Sequence, residues 1–288
     1  MWNFLTAWSF EPTLAVGLLA VAIAYAVGVR RVNKAHPRQP WPVKYTVLFY
    51  SGLGLLLFVT LGPIGTYDGQ MFWAHMIQHL VVMMLAAPLL LLGQPVLLIL
   101  RVSSPAFRTR YVVPVLRSRI VRFLTHPVVS WVIFASVIVL AHFTHFYEWA
   151  LEHDAVHLYI EHPMFFTAAL IYFYPLVGIG PGASSMPPAH KIVSLLAMMV
   201  PETMTGFAIY MAKGVLYPHY LTITDRPIGP GTAIADQRLG GAFMWSTTMA
   251  LSTIWVVYAG WQWLKSEEVQ SKRVDLEIAR EARASGSQ

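Results

Sequence analysis

The chain contains no cysteine. Disulfides, thiolate metal sites and dithiol redox chemistry are therefore excluded, and any soft-metal ligand must be histidine or methionine. Charge is also scarce. Only 12% of the 288 residues are Asp, Glu, Lys or Arg, against roughly 25% in a soluble domain, and 56% are hydrophobic. Such a chain belongs in a membrane. Its N-terminal MWNFLTAWSFEP lacks a basic n-region and a small-residue cleavage site, so the first apolar run reads as a retained span. There is no glycine-rich phosphate loop and no serine in a nucleophile-elbow context. HMIQH has the two-histidine spacing of a zinc-protease helix, but Met76 stands where the catalytic glutamate would be. The expectation is a protein that is not an enzyme.

Seven apolar runs near the ~20 residues that a bilayer requires predict an all-α membrane protein, a seven-transmembrane-helix bundle. They lie at about 12–29, 45–61, 71–92, 127–146, 155–179, 191–211 and 239–264. Residues 1–264 thus form one transmembrane domain. Residues 265–288 form a charged tail, helix-prone through VDLEIAREAR and disordered through ASGSQ. The third run is expected to kink or end near Pro88, since proline removes a helical donor. GPGASSMPPAH, between the fifth and sixth runs, reads as a tight turn. RVSSPAFRTRYVVPVLRSRIVRF is too charged to span and reads as an interfacial segment held by anionic lipids.

Basic residues set the orientation. Arg30, Arg31, Lys34, Arg38 and Lys44 follow the first run, and Arg101, Arg108, Arg110, Arg117, Arg119 and Arg122 follow the third. Lys191, Lys265, Lys272, Arg273, Arg280 and Arg283 fall on the same side, whereas the opposite side holds Lys213, Arg226 and Arg238. This pattern predicts an outside N-terminus and a cytoplasmic C-terminus. The net charge of +6 is then a matter of topology, and no nucleic acid partner is expected.

With that orientation His36, His126 and His190 are cytoplasmic. The other eight of the eleven histidines, namely His75, His79, His142, His145, His153, His157, His162 and His219, fall in the outer leaflet or beyond. His75 and His79 form an i,i+4 pair roughly 7 and 13 Å below the outer end of their helix. His142 and His145 close the fourth run, and His153, His157 and His162 open the fifth. A lone membrane histidine is an ordinary packing residue, but three helices bringing imidazoles to one depth suggest a shared metal or cofactor site. Glu161, one turn after His157, can accept its second ring N–H and fix the tautomer that binds metal. Neutral imidazole suits copper, zinc and iron, and thioether sulfur tilts the choice toward Cu(I). Met71 and Met83, one turn from His75 and His79, are the methionines placed to supply it. Glu202, after Pro201 in the sixth run, is a second intramembrane carboxylate, suited either to a proton or ion path or to bonding a neighbouring helix.

HMIQHLVVMMLAAPLLLLGQP, HFTHFYEWAL, HLYIEH, YPHY and ADQRLGGAFMW, in that order, resemble the motifs of the multi-span CtaG-type cytochrome c oxidase assembly factors. The resemblance covers about residues 70–264. Thr144 stands where the family carries proline. HLYIEH is one residue longer than the family's His-x-x-Glu-His, so His157 and His162 are i,i+5 and share a face only if a π-bulge intervenes. The resemblance implies a chaperone in the bacterial inner (cytoplasmic) membrane that matures a haem–copper oxidase by binding and handing over copper. The oxidase subunits and a periplasmic copper carrier would be its partners. On this reading His75, His79 and His157 are the core ligands, His142 or His162 completes them, and Glu161 orients His157. Met71, Met83, His145 and His153 are further candidates. Two other classes stay open. A bis-histidine haem b would make the protein an electron carrier, and a metal-free scaffold would dock oxidase subunits with its histidines bonded to one another.

Overall fold

The computed structural model describes residues 6–177 and 186–285. Among the described residues every regular element is helical. In chain order the principal helices are α1 (Pro12–Ala35), α2 (Val43–Leu61), α3 (Pro63–Tyr67), α4 (72–92) and α5 (Pro95–Val102). They continue as α6 (105–116), α7 (Arg119–Leu124), α8 (Pro127–Phe143), α9 (Phe146–Leu151), α10 (154–177), α11 (Pro188–Met211) and α12 (Ala233–Ser285). Five helical stretches are long and apolar enough to cross a membrane: Pro12–Ala35, Val43–Tyr67, Phe72–Val102, Pro188–Met211 and Ala233–Ile278. The apolar helix Pro127–Phe143 is shorter.

These bounds differ from the sequence expectations in physically informative ways. The helix of the fourth run stops at Phe143, three residues early. Thr144 leaves helical geometry there, and its N–H still bonds Leu140 O. His145 consequently lies beyond the helix, on the surface. The last helix begins at Ala233 rather than 239 and continues without a break into the charged tail, as far as Ser285. The part of ASGSQ beyond Ser285, the end of the fifth run past Val177 and residues 180–185 of the GPGASSMPPAH turn lie outside the described residues.

Of the two expectations for Pro88, a kink or an end, helix α4 does not end there. It widens into a π-turn over Val82–Ala86 and then resumes. Proline at position 88 cannot donate to the carbonyl of Met84. That carbonyl is taken instead by the indole N–H of Trp255 in α12, at 2.8 Å. The helix finally stops at Gly93–Gln94–Pro95. Gln94 adopts the left-handed region (φ 56°), and Pro95 opens α5 at the position where a missing N–H costs nothing.

Helix α4 occupies the middle of the bundle, with His75, Met76, His79, Met83 and Met84 all buried. One apolar cluster joins it to α8, α10, α11 and α12, and a second joins its other face to α1 and α2. Helix α1 is mostly exposed, as a lipid-facing helix must be. It is tied to the bundle by Tyr25, which stacks on Phe49 and donates its hydroxyl to Gly93 O at 2.8 Å. The arginine-rich segment folds into the short helices α6 and α7, which leave Phe107, Tyr111, Ile120 and Phe123 exposed among the arginines.

Candidate metal centre

The start of α4 is held by the start of α12. The Asp236 carboxylate accepts from the backbone N–H groups of Phe72 (3.0 Å) and Trp73 (3.1 Å), two of the four donors that a helix start leaves unpaired. Arg226 Nη1 donates to the same carboxylate at 2.8 Å. The neighbouring Gln237 ties the preceding loop down, accepting from Leu216 N at 2.7 Å and donating to Gly214 O at 3.2 Å. At Gly240 a Cβ would run into the Phe72 ring and come within 3.0 Å of Met76. At Gly241 it would lie 2.7 Å from Tyr210 N, where α11 and α12 touch backbone to backbone. Within the Asp-Gln-x-Leu-Gly-Gly run, Asp236 and Gly240 thus fix the position of the helix that carries His75 and His79, while Gln237 and Gly241 fix the loop and α11 beside it.

Around those two histidines the chain assembles five imidazoles in a file. Successive ring centroids are 4.5 Å apart for His162–His157, 5.8 Å for His157–His75, 5.3 Å for His75–His79 and 5.3 Å for His79–His142. Two triads of ring nitrogens lie within 4.8 Å of one another: His75, His79 and His142, and His75, His157 and His162. His75 belongs to both. The turn that makes the second triad possible is a π-helix at His157–Glu161, whose extra residue returns His162 to the face of His157.

The two halves of the file differ in chemistry. His142 Nδ1 lies 2.7 Å from Ile138 O and must donate to it, so Nε2 carries the lone pair. His79 Nε2 is 3.3 Å from Met76 Sδ, a weak acceptor that leaves Nδ1 as the lone-pair nitrogen. His142 Nε2, His79 Nδ1 and both ring nitrogens of His75 are buried without a hydrogen-bond partner among the described residues. At the other end the imidazoles meet carboxylates. His157 Nδ1 donates to Glu161 and its Nε2 to Asp68, at 3.2 Å, while His162 Nε2 stands 3.3 Å from the same Asp68 oxygen. Burial works against the charge of Asp68, but its hydrogen bonds and electrostatic attraction to His157 and His162 outweigh it and hold this carboxyl well below its usual range. Glu161 is fully buried, and its second oxygen points toward His75 Nε2 at 3.7 Å. His162 also borders an apolar cleft of about 190 Å³ between α1, α2 and α10.

Aromatic groups close the centre. Tyr147 lies 4.5 Å from His75 centroid to centroid, and Phe165 stacks on His79 at 5.3 Å. The Tyr147 hydroxyl meets that of Tyr220 at 2.6 Å, and Tyr217 donates to His142 O at 3.0 Å. His219 is not part of the file. Its backbone N–H donates to Glu148 at 2.8 Å and its ring to Gly69 O at 2.9 Å, so YPHY clamps the loops together.

Of the residues singled out in the sequence, His75, His79, His142, His157, His162 and Glu161 come together. His145 and His153 do not: both are exposed, and His153 bonds only to Trp149 O of its own turn. Met71 is turned toward Arg226, 3.8 Å from its guanidinium, and Met83 sits in the apolar core. The thioether beside the imidazoles is that of Met76. Glu202 is buried in α11, and one of its oxygens has no partner among the described residues, but it belongs to neither triad. Sequence reasoning missed Asp68, Met76, Tyr147 and the Arg226–Asp236 pair. Asp68 left a signal, being an acidic residue in a short loop four residues before the histidine helix.

Fold and site define an all-helical membrane protein with a buried polyhistidine centre formed by helices α4, α8 and α10. Residues 23–266 match the family described as cytochrome c oxidase caa3 assembly factor (Caa3_CtaG), and the chain belongs to that family. Similar chains are described as uncharacterized proteins. One from Mycobacterium leprae is 28% identical over 285 residues, 95% of this chain and 42% of its own length. Others from Mycobacterium bovis and Mycobacterium tuberculosis are each 27% identical over 283 residues, 94% of this chain and 41% of their own. The chain thus spans less than half the length of these curated relatives. No solved structure gives a significant match.

Proposed function

We propose that this protein binds Cu(I) as cargo at the histidine centre and hands it to a haem–copper cytochrome c oxidase during assembly. The observation that carries the reading is the set of buried ring nitrogens on His75, His79 and His142. They lack partners among the described residues, converge from two helices, and sit within motifs of an oxidase-assembly family. A buried polar group without a partner is costly, and a bound ion removes that cost. Neutral imidazoles without thiolate suit an ion that must be released as well as held. Against haem b stand Tyr147 and Phe165, whose rings pack against His75 and His79 where a macrocycle would lie.

In this reading seven helices cross the bacterial inner membrane. They are the five long ones, α8, and α10, whose 154–177 run gives about 36 Å at 1.5 Å per residue. The arginine and lysine distribution puts the N-terminus outside, the C-terminus in the cytoplasm and the histidine centre toward the outer face. A periplasmic carrier would supply the copper, and α6 and α7 would rest on anionic lipid.

The test is metal analysis and an optical spectrum of purified protein, for wild type and the His75→Ala/His79→Ala double variant. Copper near one per chain, lost in the variant and without a Soret band, is the expected result. Absence of copper from reduced, Cu(I)-treated wild type would refute the reading in favour of a scaffold, and a Soret band would favour haem.

A further inference from the structure

Resting on the copper reading above, we propose that the five imidazoles form two alternative positions for one ion, with His75 as the pivot between them. The ion is first captured by His157, His162 and His75, and then moves to His75, His79 and His142.

Four observations support a direction of travel. First, the two triads overlap in His75 alone, whose ring lies 5.8 Å from His157 and 5.3 Å from His79. Either position can be filled by a small displacement that exchanges ligands one at a time. Second, the two halves differ in exposure: the side chains of His162 and His157 are 19% and 14% exposed, whereas His75, His79 and His142 are buried. Third, the entry half sets carboxylates against its imidazoles. Asp68 and Glu161 both contact them, so an ion that takes His157 Nε2 displaces the proton there and keeps the neighbouring carboxylates compensated. Fourth, the inner half offers neutral nitrogen only, with tautomers set by Ile138 O and by Met76 Sδ. A soft monovalent ion is better matched to that set than to a carboxylate-rich one, whereas hard divalent ions are held back with the carboxylates.

Because the pivot is shared, the protein holds one ion at a time. Ligands at the two ends then have different jobs. His162 governs how fast the ion enters, and His142 governs how tightly it is kept.

The experiment uses the full chain in detergent with Cu(I) supplied from a coloured chelator. Loading rate is read by stopped flow and affinity by equilibrium competition. His162→Ala should load at least about tenfold more slowly with affinity nearly unchanged, and His142→Ala should load at the normal rate with affinity lowered by about tenfold or more, the usual scale for losing one supporting group at a metal site. Wild type should take up one ion. A matching fall in both rate and affinity for both variants would overturn the relay, leaving a single five-histidine site and the copper reading intact. Two ions per wild-type chain would overturn the shared pivot. No uptake by wild type would instead refute the copper reading itself. Retained helicity and wild-type thermal unfolding of each variant separate these outcomes from misfolding.

Discussion

Replacing Asp236 by alanine should be among the most damaging single changes in this protein, although the residue touches no histidine. Its carboxylate is fully buried and serves three donors at once: the N–H groups of Phe72 and Trp73, and Arg226. Arg226 is itself only 4% exposed, and without Asp236 it keeps only the Tyr220 carbonyl and the Met71 sulfur as neighbours. Loss of a helix cap alone costs about 0.5–2 kcal/mol. Stranding a buried charge costs about 3–5 kcal/mol. The same carboxylate makes both interactions, so the two costs overlap, and about 3–5 kcal/mol in total is expected, a large part of a net stability of about 5–15 kcal/mol. Asp236→Asn keeps an acceptor for the helix start and should lose less. The assay is reversible unfolding in detergent, followed by tryptophan fluorescence, as a double-mutant cycle with Arg226→Met. The double variant should be more stable than Asp236→Ala alone, because the stranded charge is gone. A loss below about 1 kcal/mol for Asp236→Ala, or strict additivity in the cycle, would refute the argument that this pair anchors the histidine helix.

Other changes test neighbouring parts of the argument. Gly240→Ala should lower unfolding free energy by about 1–3 kcal/mol, since its methyl meets Phe72 and Met76; a neutral effect would mean that α4 and α12 can separate freely. Trp255→Phe should cost about 1–3 kcal/mol by leaving Met84 O unpaired beside Pro88, and an unchanged midpoint would show that the π-turn needs no external donor. The depressed Asp68 carboxyl adds stability that is fully present above its unfolded value, about 3.9, and is lost as pH falls through the folded one. Metal-free protein should therefore weaken below about pH 4, and Asp68→Asn should flatten that decline; parallel pH profiles for the two proteins would remove the carboxylate from the account.

The sequence carries the helices and the convergence of histidines because both follow from local periodicity. Apolar run lengths place the long helices, and the i,i+4 spacing of His75 and His79 sets one face. The extra residue in HLYIEH demands a π-turn if His157 and His162 are to cooperate, and the chain makes one. What the sequence does not carry is pairing at distance. Asp68 reaches His157 across 89 positions and Asp236 reaches Phe72 across 164, and neither spacing has a period that would announce it. Spacing does not choose among the methionines either. Met71 and Met83 stand one turn from a histidine, but Met71 faces α12 and Met83 the apolar core, while Met76, three residues from His79, is the one whose sulfur meets the ring. Run length likewise does not reveal that the helix ends at Phe143, which leaves His145 outside it.

The π-turns in α4 and α10 have a consequence for how such a protein can change. An extra residue in an ordinary α-helix rotates everything beyond it by about 100°, scrambling one end's contacts whenever the other end is altered. A wide turn absorbs that rotation. In α4 it lies after His79, between the histidine-bearing segment and the apolar remainder, and in α10 it spans His157–Glu161, between His157 and the helix that begins with His162. Each helix is thereby divided into two portions whose angular phases are set independently. One is free to be aimed at chemistry, while the other keeps the phase that its neighbours in the membrane require.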